Sequence, residues 1–224
     1  MISKEFEKSR QFWGKAVAQG NLIYPSEQVI RFIKRNENGR KHMKVLDFGC
    51  GAGRNAIALA NEGYQVVAMD YNQNLLDIVE EKMNESAKLD IECIKNEGTS
   101  VPCKKNSFDR IVANGSLFFD SVDTVRDILK NLFAVLKPGG LMWADFRGMN
   151  DSLYNMGKKI NEYVVQMDKG SGREGSTYVF MNRDILEKMY TEIGFDIVSV
   201  DESNYTENNA KMKNQWYCIV ATKR

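Results

Sequence analysis

The stretch Val45-Leu46-Asp47-Phe48-Gly49-Cys50-Gly51-Ala52-Gly53-Arg54-Asn55 decides the fold. An apolar run ends in an acid, three alternating glycines follow, and a helical pattern begins. This reads as the first strand-turn-helix crossing of a nucleotide-binding α/β sheet. Glycine lets the backbone turn tightly and approach a ligand where a Cβ would stand in the way. A second acid, Asp70, closes the next apolar run, Val66-Val67-Ala68-Met69. It falls about 20 residues beyond the glycines, the spacing expected between such a turn and a carboxylate that takes ribose hydroxyls.

Outward from that stretch, strands and helices alternate. Gly53 to Glu62 reads as a helix stopped by Gly63, and Gln65 to Met69 as a strand. Asn72 caps a helix whose Leu75, Leu76, Val79 and Met83 keep helical spacing. Ile91 to Lys95 and Phe108 to Ala113 give two further strands. Ser121 to Leu136 is the clearest helix, terminated by Lys137-Pro138-Gly139-Gly140, and Leu141 to Ala144 is the fifth strand. Asp151 to Asp168 carries Leu153, Met156, Ile160, Tyr163, Val164 and Met167 at helical spacing and predicts a helix. It lies in a long excursion from Phe146 to Gly175. Asn182 caps one more helix, closed by Gly194. Phe195 to Val200 and Trp216 to Thr222 are the last strands, joined by a polar loop from Ser203 to Asn214. Before the glycine stretch, Ser3 to Lys15 and a segment opened by Tyr24-Pro25-Ser26-Glu27 read as helices, with proline suited to a first turn.

The alternation predicts a doubly wound, mostly parallel α/β sheet with helices on both faces, and an antiparallel pair at one edge where no helix intervenes. One domain spanning 1–224 is expected, with a helical cap at 1–40 and an insertion at 146–181 over the substrate pocket.

Composition narrows the function. The chain has 31 basic and 30 acidic residues, without the basic excess of a protein that tracks nucleic acid, so nucleic-acid substrates are disfavoured. No apolar run approaches the ~20 residues of a membrane helix. The amino terminus is charged and lacks a signal peptide's apolar centre, so a cytoplasmic protein off the membrane is expected. The 4 cysteines have neither paired spacing nor neighbouring histidines, so neither disulfides nor a metal site is expected. The single histidine, His42, precedes the first strand at the end away from the expected site.

The pattern Asp47-x-Gly49-x-Gly51-x-Gly53 closely resembles the first motif of the class I S-adenosylmethionine-dependent methyltransferases of the small single-domain type. The dinucleotide pattern Gly-x-Gly-x-x-Gly fits poorly, because its last glycine would fall on Arg54. The Leu136-Lys137-Pro138-Gly139-Gly140 turn is also common in that family. The resemblance implies a seven-stranded, Rossmann-like sheet with an antiparallel last strand, S-adenosylmethionine as cofactor and S-adenosylhomocysteine as product.

It also implies roles. Phe48, Gly49, Gly51, Gly53 and Asn55 would surround the methionine moiety, with Asp47 on its ammonium. Asp70 would take the ribose and Tyr71 would lie beside the adenine, whose edge Glu97 and Gly98 would read. Asn114 and Gly115 would lie near the methionine end. Trp13, Tyr24, Phe118, Phe119 and Arg147 would border a small-molecule acceptor, with Arg147 suited to an anionic group. Methyl transfer to oxygen or nitrogen can proceed by orientation alone; if a base is used, Asp145 or Tyr154 is best placed. Alternatives are a partner or regulatory protein that holds the cofactor without catalysis, and an NAD-binding oxidoreductase.

Overall fold

The computed structural model describes residues 12, 14, 23–35, 42–85, 89–171 and 173–224. Most of the expected first helix, Trp13 included, lies outside the described residues. The elements are α1 (Glu27–Arg35), β1 (Lys44–Phe48), α2 (Arg54–Asn61), β2 (Gln65–Asp70), α3 (Gln73–Asn84), β3 (Ile91–Lys95), β4 (Phe108–Ala113), α4 (Val122–Val135), β5 (Leu136–Gly148), β6 (Gly157–Lys159), β7 (Val164–Met167), β8 (Thr177–Met181), α5 (Arg183–Ile193), β9 (Phe195–Glu207) and β10 (Met212–Lys223).

β1 sits between β2 and β4, parallel to both, and the sheet runs β3-β2-β1-β4-β5. The chain winds outward from β1 to β3, then returns to place β4 on the other side of β1. That reversal opens a crevice beyond the carboxyl ends of β1 and β4, where such sheets bind ligands. β10 pairs with β5 antiparallel, from Trp216 opposite Arg147 to Thr222 opposite Leu141, and β9 pairs with β10. Among these seven strands only β10 runs against the rest.

Both faces of the sheet are covered, so β1, β2 and β4 are buried almost throughout rather than alternating with water. Successive side chains point to opposite faces. Leu46, Phe48, Val67 and Met69 meet α4 and α5 through Leu129, Leu132, Leu186 and Met189. Val45, Val66, Ala68 and Trp143 meet α1, α2 and α3 through Ile33, Leu59 and Val79. Helix starts follow the expected chemistry: the side-chain oxygens of Asn72, Ser121 and Asn182 accept from Asn74 N, Thr124 N and Ile185 N. Pro25 lies two residues ahead of α1 instead of in its first turn.

Three expectations are corrected. The helix over Asp151 to Asp168 is instead a 3-10 turn, Ser152–Asn155, followed by β6 and β7. With β8 they form an antiparallel group that hangs from the end of β5, where Arg147 and Gly148 pair with Phe180 and Met181. The pattern was helical in spacing, but Gly157 sits where a Cβ would strike the Gln166 carbonyl, which pins a strand pair. The Asn161 side chain accepts from Tyr163 N and Val164 N and turns the chain between them. Among the described residues the sheet therefore has ten strands, seven of them in the expected arrangement.

The third correction concerns Ser203 to Asn214. It is no loop but the outer part of a hairpin, with Glu207 opposite Met212. Asn208, Asn209 and Ala210 make the turn at φ of 52°, 55° and 64°, a region that asparagine tolerates better than most residues.

Candidate functional site

The glycine loop leaves β1 under the carboxyl end of the sheet. Gly49 and Cys50 donate to the Met69 carbonyl at 2.8 and 3.0 Å, fastening the loop to β2. Gly53 has a φ of 81°, and a Cβ there would lie 2.7 Å from Val79 Cγ2. Both the conformation and the packing demand glycine. Gly51 N donates to Asp70 Oδ2 at 2.9 Å, and Asn72 N donates to Asp70 Oδ1 at 2.9 Å. The second strand's acid thus shapes the loop of the first, a link that spacing alone did not show.

Asp47 is 1% exposed. Its carboxylate takes a backbone hydrogen bond from Ala56, yet Oδ2 has no partner. Burial pushes its pKa up from 3.8 to about 7, against the pull of that bond and of the Arg54 charge, while Asp70 adds to the rise. A buried carboxylate oxygen with nothing to accept from is the complement of a cation. The α-ammonium of S-adenosylmethionine would satisfy it, so the residues present fit that cofactor.

A chain of polar contacts crosses the crevice. Asp145, near the end of β5, accepts from Asn114 Nδ2 at 2.7 Å and from Gly115 N at 2.6 Å. The Asn114 side-chain oxygen in turn accepts from Arg54 Nη2 at 2.9 Å and Asn55 Nδ2 at 3.3 Å. Asn55 accepts from Ser26 N, and Arg54 donates to the Tyr24 carbonyl. Sequence reasoning passed over Arg54; its place in the first turn after the glycines, beside Asp47, was the available signal. Burial lifts Asp145 to about 6, opposed by the hydrogen bonds from Gly115 and Asn114 and by the Arg147 charge.

Glu97 and Gly98 line a cavity of about 650 Å³ between the loop after β3 and the first turns of α4, with Asp120, Thr124 and Asn131 opposite. Glu97 is exposed, and Tyr71 is partly buried at the end of β2.

On the other side of the crevice the rings of Phe118, Phe119, Tyr178 and Trp216 gather. Phe118 lies 4.4 Å from Phe119, 5.5 Å from Tyr178 and 5.3 Å from Trp216, measured between ring centres. Tyr178 and Trp216 come from β8 and β10. No sequence motif marks them, because only the β5–β8 and β5–β10 pairings bring them here. Arg147 is buried among these rings and bonded to Asp151 at 2.6 Å.

Other expected site residues are placed differently. Phe48 packs its ring into the core beneath the sheet, and only its carbonyl reaches the loop region, accepting from Ser116 Oγ. Tyr24 is 78% exposed, and its carbonyl accepts from Arg54 Nη1. The Tyr154 hydroxyl donates to the Glu162 carbonyl at 2.8 Å. His42 is exposed just before β1, away from the crevice.

A glycine loop under a reversed parallel sheet, with an orphaned buried carboxylate beside it, is the arrangement of an α/β nucleotide-binding protein whose site suits a cationic group. A methyltransferase-domain profile matches residues 45–140. The chain is 31% identical to a demethylmenaquinone methyltransferase of Anoxybacillus flavithermus, over 78% of each protein. It is 34% identical to a second protein of that name, from Lactococcus lactis, over only 39% of that protein's length. A ubiquinone biosynthesis O-methyltransferase of Rickettsia canadensis is 25% identical over 95% of this chain and 88% of its own. Among solved structures, a SAM-dependent methyltransferase of Methanosarcina mazei superposes with a TM-score of 0.73 at 22% identity, over 85% of this chain and 96% of its own. The chain belongs to the class I S-adenosylmethionine-dependent methyltransferases, and S-adenosylmethionine is its cofactor.

Proposed function

We propose that the protein transfers the methyl group of S-adenosylmethionine to an oxygen of a planar, hydroxylated aromatic small molecule. The observation that carries this reading is the aromatic cluster beyond the loop after β4, where Phe119 and Trp216 are partly exposed over the buried rings of Phe118 and Tyr178. Rings stack favourably on flat aromatic partners and offer little to an aliphatic polyol. Of the relatives, the one named an O-methyltransferase of ubiquinone biosynthesis points to oxygen, while the two demethylmenaquinone methyltransferases agree only on a ring-bearing small molecule.

In this reading Asp47 takes the cofactor's ammonium and Asp70 its ribose hydroxyls, while Glu97 and Gly98 face the adenine edge. Asn55, Asn114 and Gly115 hold the methionine end. When bound, the cofactor supplies a methyl group already activated on a positively charged sulfur. What the chain's own residues contribute is placement, which can by itself supply several orders of magnitude in rate. Asp145 acts as a positioning residue, since both its oxygens hold the loop after β4. Tyr154, committed to the Glu162 carbonyl, is not used as a base. A phenolic hydroxyl with a pKa near ~10 gives up its proton far more readily than an alcohol. The insertion carrying β6, β7 and β8 forms the outer side of the acceptor pocket. A cytoplasmic setting accords with the four free thiols and belongs to the same reading.

The test is methyl release from labelled S-adenosylmethionine to catechols, phenols, amines, aliphatic carboxylates and sugars. Catechols and phenols should be the acceptors. Transfer confined to amines or sugars would overturn the reading.

A further inference from the structure

Arg147 is held in an unusual way. It lies on β5 two residues beyond Asp145, on the same face, and therefore roughly 7 Å further along the strand. Nη1 donates to Asp151 at 2.6 Å. Asp151 is 1% exposed and saturated, since it also accepts from Leu153 N at 2.9 Å and Gln215 N at 3.2 Å. The guanidinium lies 4.2 Å from the centre of the Trp216 ring, 5.6 Å from Phe118 and 5.7 Å from Tyr178. Its Nε is buried without a partner.

A second guanidinium reaches the same ring. Arg173, in the turn before β8, brings its charge to bear on the Tyr178 hydroxyl, and its Nε is also buried without a partner. Its N–H and Nη1 bond Ser171, and among the described residues it makes no ion pair with an acid. Burial raises the Tyr178 hydroxyl to about 12, with the Arg173 and Arg147 charges opposing the rise and Asp151 adding to it. Two arginines and one aspartate are thus the charges acting on the Tyr178 hydroxyl, a local excess of one positive charge around it, with Asp145 further along β5.

A local excess of positive charge and two unpaired N–H donors buried beside aromatic rings are costly unless something completes them. We propose that Arg147 and Arg173 form a subsite for a single anionic substituent, a carboxylate, on the aromatic acceptor. A planar carboxylate matches guanidinium donors in geometry and neutralises the one excess charge. A neutral substituent would satisfy the donors but leave the charge; a dianion would overshoot. The subsite rests on the aromatic-acceptor reading above and adds to it what the ring must carry. Because Arg147 lies roughly 7 Å along the strand from Asp145, the substituent sits at the far side of the ring from the methylated oxygen.

The test compares 3,4-dihydroxybenzoate with its methyl ester, which differ only in the charge of the substituent. Calorimetry on the complex with S-adenosylhomocysteine should show the acid bound at least tenfold more tightly. Steady-state assays should show the same preference in kcat/KM. Arg173→Gln should bring the acid-to-ester ratio in binding down towards one. Removing only one partner of the buried pair risks unfolding, so Arg147 is tested as the double variant Arg147→Gln with Asp151→Asn, which keeps the pair neutral. It too should lose the preference, with circular dichroism confirming its fold. Equal or tighter binding of the ester, binding of neither compound, or an unchanged ratio in Arg173→Gln would overturn the proposal. Preferential binding of the acid without methylation of either compound would leave the subsite standing and defeat the catalytic reading instead.

Discussion

Replacing Asp47 with asparagine should stabilise the ligand-free protein and damage its affinity for cofactor at the same time. Burial lifts the Asp47 carboxyl from 3.8 to about 7. At about 1.4 kcal/mol per pH unit, holding this group ionised in the fold costs about 4 kcal/mol. For a carboxyl whose pKa is raised by folding, its favourable contribution is complete below pH 3.8 and is lost as pH rises through about 7. Asp47→Asn keeps an oxygen for the Ala56 N–H but carries no charge. Above pH 7 it should therefore exceed the wild type by up to about 4 kcal/mol, or several degrees in melting temperature. Below pH 4 the two should converge.

Cofactor binding reverses the advantage. Below pH 7 the wild type must expel a proton from Asp47 before the ammonium can pair with it, so affinity should fall by up to about tenfold per pH unit. The variant should lack that slope and bind S-adenosylhomocysteine about 10–100-fold more weakly at pH 8, the range expected for one charged hydrogen bond. Thermal melts from pH 5 to 8.5 and calorimetry in buffers of different ionisation heat measure both effects. A variant that binds as tightly as the wild type at pH 8, or that gains no stability without ligand, would refute the assignment of Asp47 to the cofactor's cation.

Asp70→Ala should weaken S-adenosylhomocysteine binding by roughly 1–3 kcal/mol in calorimetry, since it removes the ribose partner and also frees Gly51 N and Asn72 N. Unchanged affinity would take Asp70 out of the site. Asp145→Asn should raise KM for the cofactor and lower kcat, because an amide cannot accept from both Asn114 and Gly115, the pair assigned to the methionine end. Wild-type activity should fall as pH drops through about 6, where Asp145 protonates and surrenders an acceptor, and the variant's profile should be flat there. Gly53→Ala should destabilise the fold by about 1–2 kcal/mol from its left-handed backbone alone, plus the collision with Val79, readable as a lower denaturant midpoint.

The parts of the fold that could be read from sequence are those in which one residue type has one physical use. The alternating glycines, the strand-end acids and the asparagine and serine caps each solve a backbone problem locally, so each announced itself. The excursion after β5 did not. Leu153, Met156, Ile160, Tyr163, Val164 and Met167 keep helical spacing, but two of them, Val164 and Met167, ended on strands buried from both faces. The contrary signals were Gly157 and the β-branched pair Val164-Val165, and they outweighed the periodicity because β8 offered a partner. The polar run from Ser203 to Asn214 lacked any apolar pattern, yet it pairs because β10 is already held in register by β5. Tertiary pairing decided both, and spacing cannot report it. The acceptor wall was half legible for the same reason: Phe118 and Phe119 lie beside the loop after β4, whereas Tyr178 and Trp216 arrive only through sheet pairing.

Asp47 and Asp145 show how far residue type can be pressed. Both are aspartates near strand ends, both are almost fully buried, and burial raises both above the ordinary carboxylate range. The difference lies in what surrounds their oxygens. Asp145 is saturated by a backbone N–H and a side-chain amide of its own fold, so its charge is spent on holding the loop after β4. Asp47 leaves Oδ2 unpaired, which a fold without a cationic ligand has no reason to tolerate. A buried acid that the protein satisfies by itself is scaffold, whereas Asp47 has an oxygen open to a cationic ligand. By the same test Asp151 is scaffold, and the unpaired Nε atoms of Arg147 and Arg173 are the donors that the proposed carboxylate subsite would use.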